Sequence, residues 1–240
     1  EAILRGAIDA EPSDWAARYL LGTWLASRGR TDEAMAQWTE AAEIDESFEP
    51  LLRNLGWGSR HWREDAEAAQ AWYEKAIERS PGEYRLYVEL DRILEAAKRP
   101  AIERLELLRS APDELHGLWQ IAARTASALV ELERWDEALA LMDRHRFIPW
   151  EGARGMRHLW VRALLGKALA LAFAEEYEEA LQICHRALEY PRNIGVGRRA
   201  RPSDEARIWN VAADIADRMG DPDTREEYRE RAADLDSSGR

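Results

Sequence analysis

Apolar residues recur at helical spacing along almost the whole chain. Between Tyr19 and Asp45, small and large apolar side chains follow one another at i, i+4 and i+7, as Ala34, Trp38 and Ala41. Residues at this spacing lie on one face of an α-helix, whereas a half-buried strand alternates with a period of two. The chain contains no convincing strand pattern. The pattern therefore predicts an all-α protein.

The helical pattern also repeats. The pair Leu21-Gly22 recurs 34 residues later as Leu55-Gly56, and each pair precedes a helix with a small-aromatic-small face. That face in the second unit is made by Ala69, Tyr73 and Ala76. A period of 34 residues with two helices per unit is typical of the tetratricopeptide repeat, which this sequence resembles. The resemblance implies a right-handed α-solenoid, with Leu-Gly on helix A of each pair and the aromatic on helix B.

Later units diverge from this pattern but keep its phase. In the third unit Asp91 takes the place of the glycine, which predicts a less close approach of the two helices. The expected organisation is a single domain over 1–240, with a half-repeat followed by helix pairs. The half-repeat covers 1–12, and the pairs cover approximately 15–48, 49–82, 83–112, 113–150, 151–191 and 203–236. Because the half-repeat lacks a helix A, we expect the chain to be a fragment of a larger protein.

The second half of the chain carries a more specific resemblance. The segments "RWDEALALMDRHRFIPWEG" and "YEEALQICHRALEYPRNIGVG" are similar to the C-terminal helical region of a family of large bacterial proteins. In that family a β-sandwich domain of unknown function, resembling sugar-mutarotase and glycosidase domains, precedes tetratricopeptide repeats. Ile148 stands where the family usually has His, and Val196 where an acidic residue is common. The resemblance implies a bacterial protein, and it carries over no catalytic residue because this chain lacks the β-sandwich.

Charge and cysteine content exclude several classes of function. The formal net charge is -12, which disfavours non-specific binding to the phosphates of nucleic acids. Cys184 is the only cysteine, so an internal disulfide is impossible. The sequence shows no apolar run of membrane-spanning length and no signal peptide. These features favour a cytoplasmic protein that binds neither nucleic acid nor membranes.

The sequence lacks the usual patterns of catalytic and metal sites. Cys184 and His185 are adjacent, so on a helix they point about 100° apart and cannot form a nucleophile–base pair. The five histidines show no metal-ligand spacing, and no HExxH or CxxC motif occurs. We therefore expect no catalysis, no cofactor and no metal.

Two long connections between a helix B and the next helix A stand out. They are "HRFIPWEGARG" at 145–155 and "YPRNIGVGRRARP" at 190–202. Equivalent connections of neighbouring pairs emerge on one edge of a solenoid, about 10 Å apart, so we expect the two to lie side by side. In one interpretation Phe147, Ile148 and Trp150 fill the gap between repeats. In the other, the edge docks a missing domain, a second subunit or a ligand. The candidate docking-edge residues are Trp150, Glu151, Arg154, Tyr190, Arg192 and Asn193.

The second connection also carries a group of arginines. Arg198, Arg199 and Arg201 form a basic loop in an acidic protein. Guanidinium groups suit bidentate capture of carboxylate or phosphate. The alternative is a solvated loop without a ligand.

Helix A of the second unit provides a further candidate surface. Its outward positions are Arg53, Trp57, Arg60 and His61, on the face that lines the concave groove of a tetratricopeptide solenoid. Aromatic and arginine side chains dominate the energetics of many protein interfaces, so this face is a candidate peptide-binding patch. In the alternative interpretation Trp57 only packs on the next helix A.

These observations predict a protein–protein or interdomain binding and assembly module without chemistry of its own. The expected partner is a protein or peptide, or the N-terminal domain of its own parent chain, and a homodimer is a further possibility. The alternative is an accessory domain of a carbohydrate-active enzyme. In that case the loop edge would cover the sugar site of the β-sandwich.

Overall fold

The computed structural model describes residues 1–148, 154–194 and 202–238. Over these residues the chain consists of α-helices joined by turns and short connections, without a strand. The all-α helical-repeat fold predicted from the sequence is thereby confirmed. The chain is divided into two units, Glu1–Leu115 and His116–Arg240.

The first unit contains three consecutive helix pairs preceded by one helix. Its helices are α1 (Ala2–Ala10), α2 (Trp15–Ser27), α3 (Thr31–Ile44), α4 (Glu49–Trp62), α5 (Ala66–Arg79), α6 (Tyr84–Ala96) and α7 (Ala101–Arg109). The pairs are α2 with α3, α4 with α5, and α6 with α7. The short helix α8 (Asp113–His116) lies where the two units meet in sequence.

The second unit contains three further pairs. Its helices are α9 (Trp119–Glu131), α10 (Trp135–Arg144), α11 (Arg154–Phe173), α12 (Tyr177–Ala187), α13 (Pro202–Met219) and α14 (Pro222–Ser238). A 3-10 turn at Arg192–Ile194 lies in the connection between α12 and α13. The first helix of the middle pair, α11, also contacts α9 and α13, so the first helices of successive pairs lie beside one another.

Glycine on helix A lets the aromatic of helix B approach closely. A Cβ atom at Gly22 would lie 2.5 Å from the ring of Trp38, and one at Gly56 would lie 2.6 Å from the ring of Tyr73. Both aromatic side chains are buried. Side-chain atoms do not pack at such distances, so only glycine admits this contact. This explains why the Leu-Gly pair and the aromatic recur together.

The third pair replaces this contact by a buried ion pair. Asp91, at the glycine position, is fully buried, and the Arg104 side chain is only 1% exposed. Nε of Arg104 donates to Oδ1 of Asp91 over 2.9 Å, and its Nη2 donates to Oε1 of Glu95 over 3.0 Å. Arg104 stands where the first two pairs carry Ala34 and Ala69. The helices α6 and α7 also contact each other less extensively than α2 and α3, as the missing glycine predicts.

The turns inside the helix pairs share one backbone feature. Each contains one residue with a positive φ: Gly29 (φ 75), Glu64 (φ 55), Lys98 (φ 57), Glu133 (φ 58), Glu175 (φ 64) and Gly220 (φ 80). A side chain in the left-handed region costs about 1–2 kcal/mol, a cost that glycine avoids. Packing of the two helices must therefore compensate for it at the glutamate and lysine positions.

Aspartates mark the beginning of helices in both units. Asp14, Asp65 and Asp221 each accept a hydrogen bond from the backbone N–H three residues later, over 2.8–3.0 Å. Each bond satisfies one of the N–H groups that the first turn of a helix leaves unpaired. The helices α2, α5 and α14 therefore start where the sequence places an aspartate.

Candidate functional site

A groove of about 430 Å³ opens on the first unit. We call it the α4–α6 groove, because most of its lining comes from those two helices. The lining residues are Trp57, Arg60, His61, Glu64, Tyr73, Glu89, Arg92, Ile93 and Ala96. Three of the four residues proposed from the sequence for a concave groove, Trp57, Arg60 and His61, are thus brought together here. Its volume lies within the range of about 300–1,000 Å³ that is usual for ligand sites.

Trp57 presents an apolar surface in this groove. Its side chain is 41% exposed, although it is a large aromatic. The ring stacks on His61 with a centroid distance of 4.4 Å and meets Trp62 edge-on at 5.2 Å. Nδ1 of His61 also donates to the carbonyl oxygen of Trp57 over 2.9 Å. These contacts hold the exposed indole in one orientation, so little entropy is lost when a partner packs on it.

Arg53, the fourth residue of the predicted set, pairs with a carboxylate of the next helix pair. It is not among the lining residues of this groove, and its Nε and Nη2 form a bidentate pair with Glu89 over 2.8 and 2.5 Å. The hydroxyl of Tyr73 donates to the same carboxylate over 2.8 Å. Burial, and then the negative charge of Glu89, hold the pKa of Tyr73 far above its ordinary value. Arg53 and Tyr73 therefore fix Glu89 in the wall of the groove, and both oxygens of that carboxylate are already occupied.

Two other arginines in the groove have no such partner. Arg60 is half-buried and Arg92 is exposed, and neither forms a hydrogen bond or ion pair with another described residue. The other acidic lining residue is Glu64, in the turn that follows α4. With Arg53 and Glu89 neutralising each other, the groove carries more positive than negative charge. This contrasts with a net charge of -12 for the chain.

The second unit holds a similar groove that sequence reasoning missed. It has a volume of about 420 Å³, and we call it the α11–α13 groove. Its lining residues are Glu133, Trp135, Arg162, Leu165, Gly166, Leu169, Ala170, Arg207 and Val211. A Cβ atom at Gly166 would lie 2.7 Å from the ring of Trp135, so glycine again admits an aromatic against the helix. The position of Gly166 within an apolar run could have predicted the contact with the Trp135 ring. It could not have predicted the groove.

The two long connections contact each other in the second unit. The N–H of Phe147 donates to the carbonyl oxygen of Asn193 over 2.7 Å. Nδ2 of Asn193 donates in turn to the carbonyl oxygens of Met142 and His145, over 2.9 and 3.3 Å. Phe147 and Ile194 are buried beside these bonds. Asn193 thus binds carbonyl groups at the C-terminal end of α10, which no residue within that helix can satisfy.

Only part of the proposed docking edge can be described. Trp150 and Glu151 lie outside the described residues, as do Arg198, Arg199 and Arg201 of the basic loop. Arg154 begins α11, but its side chain lies outside the described part. Tyr190 donates to Oε1 of Glu205 over 2.6 Å, whereas Arg192 is exposed. Of the two described apolar residues of the first connection, Phe147 is buried and acts as a packing residue, whereas Ile148 is 56% exposed.

Arg157 lies directly behind this edge. Its side chain stacks between the rings of Trp160 and Tyr190, at 5.1 and 4.6 Å, and Nη2 donates to the carbonyl oxygen of Ala187 over 2.6 Å. The residue is only 5% exposed, and its Nε and Nη1 have no hydrogen-bond acceptor among the described residues. Burial lowers the pKa of this guanidinium. Sequence reasoning missed Arg157, although the buried Trp160, Val161 and Leu164 follow it at i+3, i+4 and i+7 on the same helix face.

The environment of Cys184 bears on its reactivity as a nucleophile. Cys184 is buried, and its burial raises the pKa of the thiol to about 12, which suppresses the reactive thiolate. The neighbouring His185 is within hydrogen-bond distance of the Tyr228 hydroxyl, at 3.0 Å. Within the described ranges, no group of three or more His, Cys, Asp or Glu is placed to hold a metal ion. No described helix is both long enough and apolar enough to cross a bilayer.

Comparison with known proteins reveals similarity of fold. No family model matches the chain. The structure of Naa15/Naa10 bound to HypK-THB aligns with a TM-score of 0.56 and 16% identity, covering 97% of this chain and 35% of that one. The MamA RS-1 ArsTM double mutant aligns at 0.53 and 14%, covering 81% and 96%. A tetratricopeptide repeat protein from Parabacteroides merdae aligns at 0.50 and 12%, covering 97% and 84%. At these identities the likeness concerns the fold alone, and that fold is the one of tetratricopeptide-repeat structures.

Proposed function

We propose that this protein is a binding module that takes a segment of a partner protein into the α4–α6 groove and carries out no chemistry itself. The observation that carries the proposal is the exposed indole of Trp57, held rigidly beside the unpaired side chains of Arg60 and Arg92. Aromatic and arginine side chains in a concave site are the usual energetic anchors of protein recognition.

The groove supplies the apolar and the polar part of such recognition. Trp57 offers a flat apolar surface for an aliphatic or aromatic side chain of the partner. Arg60 and Arg92 offer guanidinium forks whose N–H groups are not used by other described residues. The wall formed by Arg53, Glu89 and Tyr73 is held by its own hydrogen bonds, so the groove keeps its shape without a ligand.

The fold comparison is consistent with this function. The structure of Naa15/Naa10 bound to HypK-THB is a complex of proteins, and part of it has the fold of this chain. A helical-repeat chain of this kind therefore can serve in a protein assembly.

The loop edge is a second proposed contact surface, for a neighbouring domain of the parent chain. Exposed Ile148 and Arg192 lie on connections that Asn193 holds together. The sequence resemblance to large bacterial proteins supports a β-sandwich domain as the neighbour, within a cytoplasmic protein. In that arrangement the module would be an accessory part of a carbohydrate-active enzyme.

A displayed library of random peptides, selected on the purified chain, tests the groove. We expect enriched peptides whose affinity falls by about 2 kcal/mol or more, roughly thirtyfold, in Trp57→Ala. The matched control is Arg79→Gln, which changes an exposed arginine of α5 outside the groove and should leave the affinity unchanged. If a folded Trp57→Ala variant binds the selected peptides as the wild type does, the groove is not their site.

A further inference from the structure

The α11–α13 groove has the same combination of side chains as the α4–α6 groove. Arg162 and Arg207 line it, both are exposed, and neither pairs with another residue that the structure describes. Leu169, which is 43% exposed, supplies the apolar surface that Trp57 supplies in the first unit. A glutamate with positive φ, Glu133, lies in the turn at its edge, as Glu64 does in the other groove.

On both helices of this groove, a charged lining residue comes first along the chain and an apolar lining residue follows it. On α11, Arg162 precedes Leu169 by about two helical turns, and on α13, Arg207 precedes Val211 by about one turn. Residues at these spacings share one face of a helix. Each helix therefore presents a cation followed by an apolar side chain towards the same cavity.

The charge of this groove selects the chemistry of its ligand. The lining contains two guanidinium groups and one carboxylate, that of Glu133, so it is positive while the chain as a whole has a net charge of -12. Guanidinium groups bind carboxylates through paired, charge-assisted hydrogen bonds. A long polyanion such as a nucleic acid would also extend over the acidic remainder of the chain and be repelled by it. A short segment with acidic and apolar residues meets the arginines without that penalty.

We propose that the α11–α13 groove is a second binding site, which takes an acidic segment of a partner protein with apolar residues between its carboxylates. Together with the α4–α6 groove, the chain then holds two such segments at once. This inference rests on the proposed function, because it assigns the same kind of ligand to both grooves.

Isothermal titration calorimetry of the full chain with a short blocked peptide of alternating Glu and Leu tests the inference. The wild type should bind two equivalents. Arg162→Gln/Arg207→Gln and Arg60→Gln/Arg92→Gln should each bind one. A peptide with Gln in place of every Glu should bind at least about tenfold more weakly, and added salt should weaken binding of the acidic peptide. The control Arg146→Gln, at an exposed arginine of the second unit outside the groove, should keep two equivalents.

The outcomes separate this inference from the proposed function. In one outcome the wild type binds a single equivalent, Arg60→Gln/Arg92→Gln loses it and Arg162→Gln/Arg207→Gln keeps it. This outcome overturns the second site and leaves the proposed function standing. Absence of binding to the wild type overturns this inference, whereas the proposed function is judged by the peptide selection and the Trp57→Ala variant. Binding of a single-stranded oligonucleotide in competition with the peptide, lost in Arg162→Gln/Arg207→Gln, overturns the assignment to a protein segment. Circular dichroism of each variant establishes that it is folded, which is expected because these arginines do not pair with described residues.

Discussion

The buried ion pair between Asp91 and Arg104 predicts two substitutions whose effects are strongly non-additive. In Arg104→Met, the fully buried carboxylate of Asp91 loses a guanidinium that donates to it over 2.9 Å. Removing one partner of a buried ion pair costs about 3–5 kcal/mol of the free energy of unfolding. In Asp91→Ala the guanidinium of Arg104 keeps its bond to the half-exposed Glu95, so the free energy of unfolding should fall by about 3 kcal/mol.

The double variant Asp91→Ala/Arg104→Met removes both charges of the buried pair together. Methionine keeps most of the volume of the arginine stem, and the remaining cost is that of a small cavity, about 1–2 kcal/mol. The two single losses sum to roughly 6–8 kcal/mol. The expected coupling energy is therefore at least about 4 kcal/mol, above the range of about 0.5–3 kcal/mol that is usual for residues in contact.

Urea denaturation followed by far-ultraviolet circular dichroism measures the four unfolding free energies of this cycle. The matched control is Arg99→Met, which breaks an exposed pair with Glu103 and should cost less than about 1 kcal/mol. A coupling energy below about 0.5 kcal/mol would refute the reasoning, since it would mean that the two charges do not depend on each other for burial.

Three further predictions concern single contacts. Gly22→Ala should cost about 1–3 kcal/mol, because its Cβ would lie 2.5 Å from the Trp38 ring, whereas Gly82→Ala, which meets nothing within 4 Å, should be nearly neutral in the same thermal melts. Asn193→Ala should cost about 1–3 kcal/mol through the two hydrogen bonds that it removes, and unchanged hydrogen exchange in the connection before α11 would contradict this. The pKa of Cys184 rises on folding from 9.0 to about 12, so the unfolded thiol ionises first and stability should fall by about 1.4 kcal/mol per unit between pH 9 and 12. Cys184→Ala should lack that part of the slope, and equal slopes in the two proteins would show that burial does not protect the thiol.

The fold could be predicted because its determinants are local in sequence. The spacing of Gly22 and Gly56 defines the repeat, and the aromatic of each helix B follows in register. Trp38 and Tyr73 pack against those glycines, as the pattern of small and large residues predicts. The placement of Trp57, Arg60 and His61 on one side of α4 followed from the same helical spacing.

The features of the site that could not be predicted depend on contacts between separate helix pairs. Arg53 and Arg60 have equivalent outward positions in the sequence, and only Glu89 of the next pair distinguishes the engaged arginine from the unpaired one. Arg157 is covered on one side by Tyr190, which follows α12 and lies far from it in sequence. The ion pair of Arg104 could have been predicted from the sequence. An arginine in the alanine position of helix B and an aspartate in the glycine position of helix A occur in the same helix pair.

The left-handed turns also have a consequence for the order of folding. A hairpin of two helices forms early only if its turn is favourable before the helices are packed, and glycine meets that condition at Gly29 and Gly220. Turns centred on Glu64, Lys98, Glu133 and Glu175 oppose closure by about 1–2 kcal/mol until the packing is complete. Each of the two units contains one glycine turn, in α2–α3 of the first and in α13–α14 of the second. We therefore expect folding to nucleate in these two hairpins and to propagate from them to neighbouring pairs, as in other repeat proteins whose units add one after another.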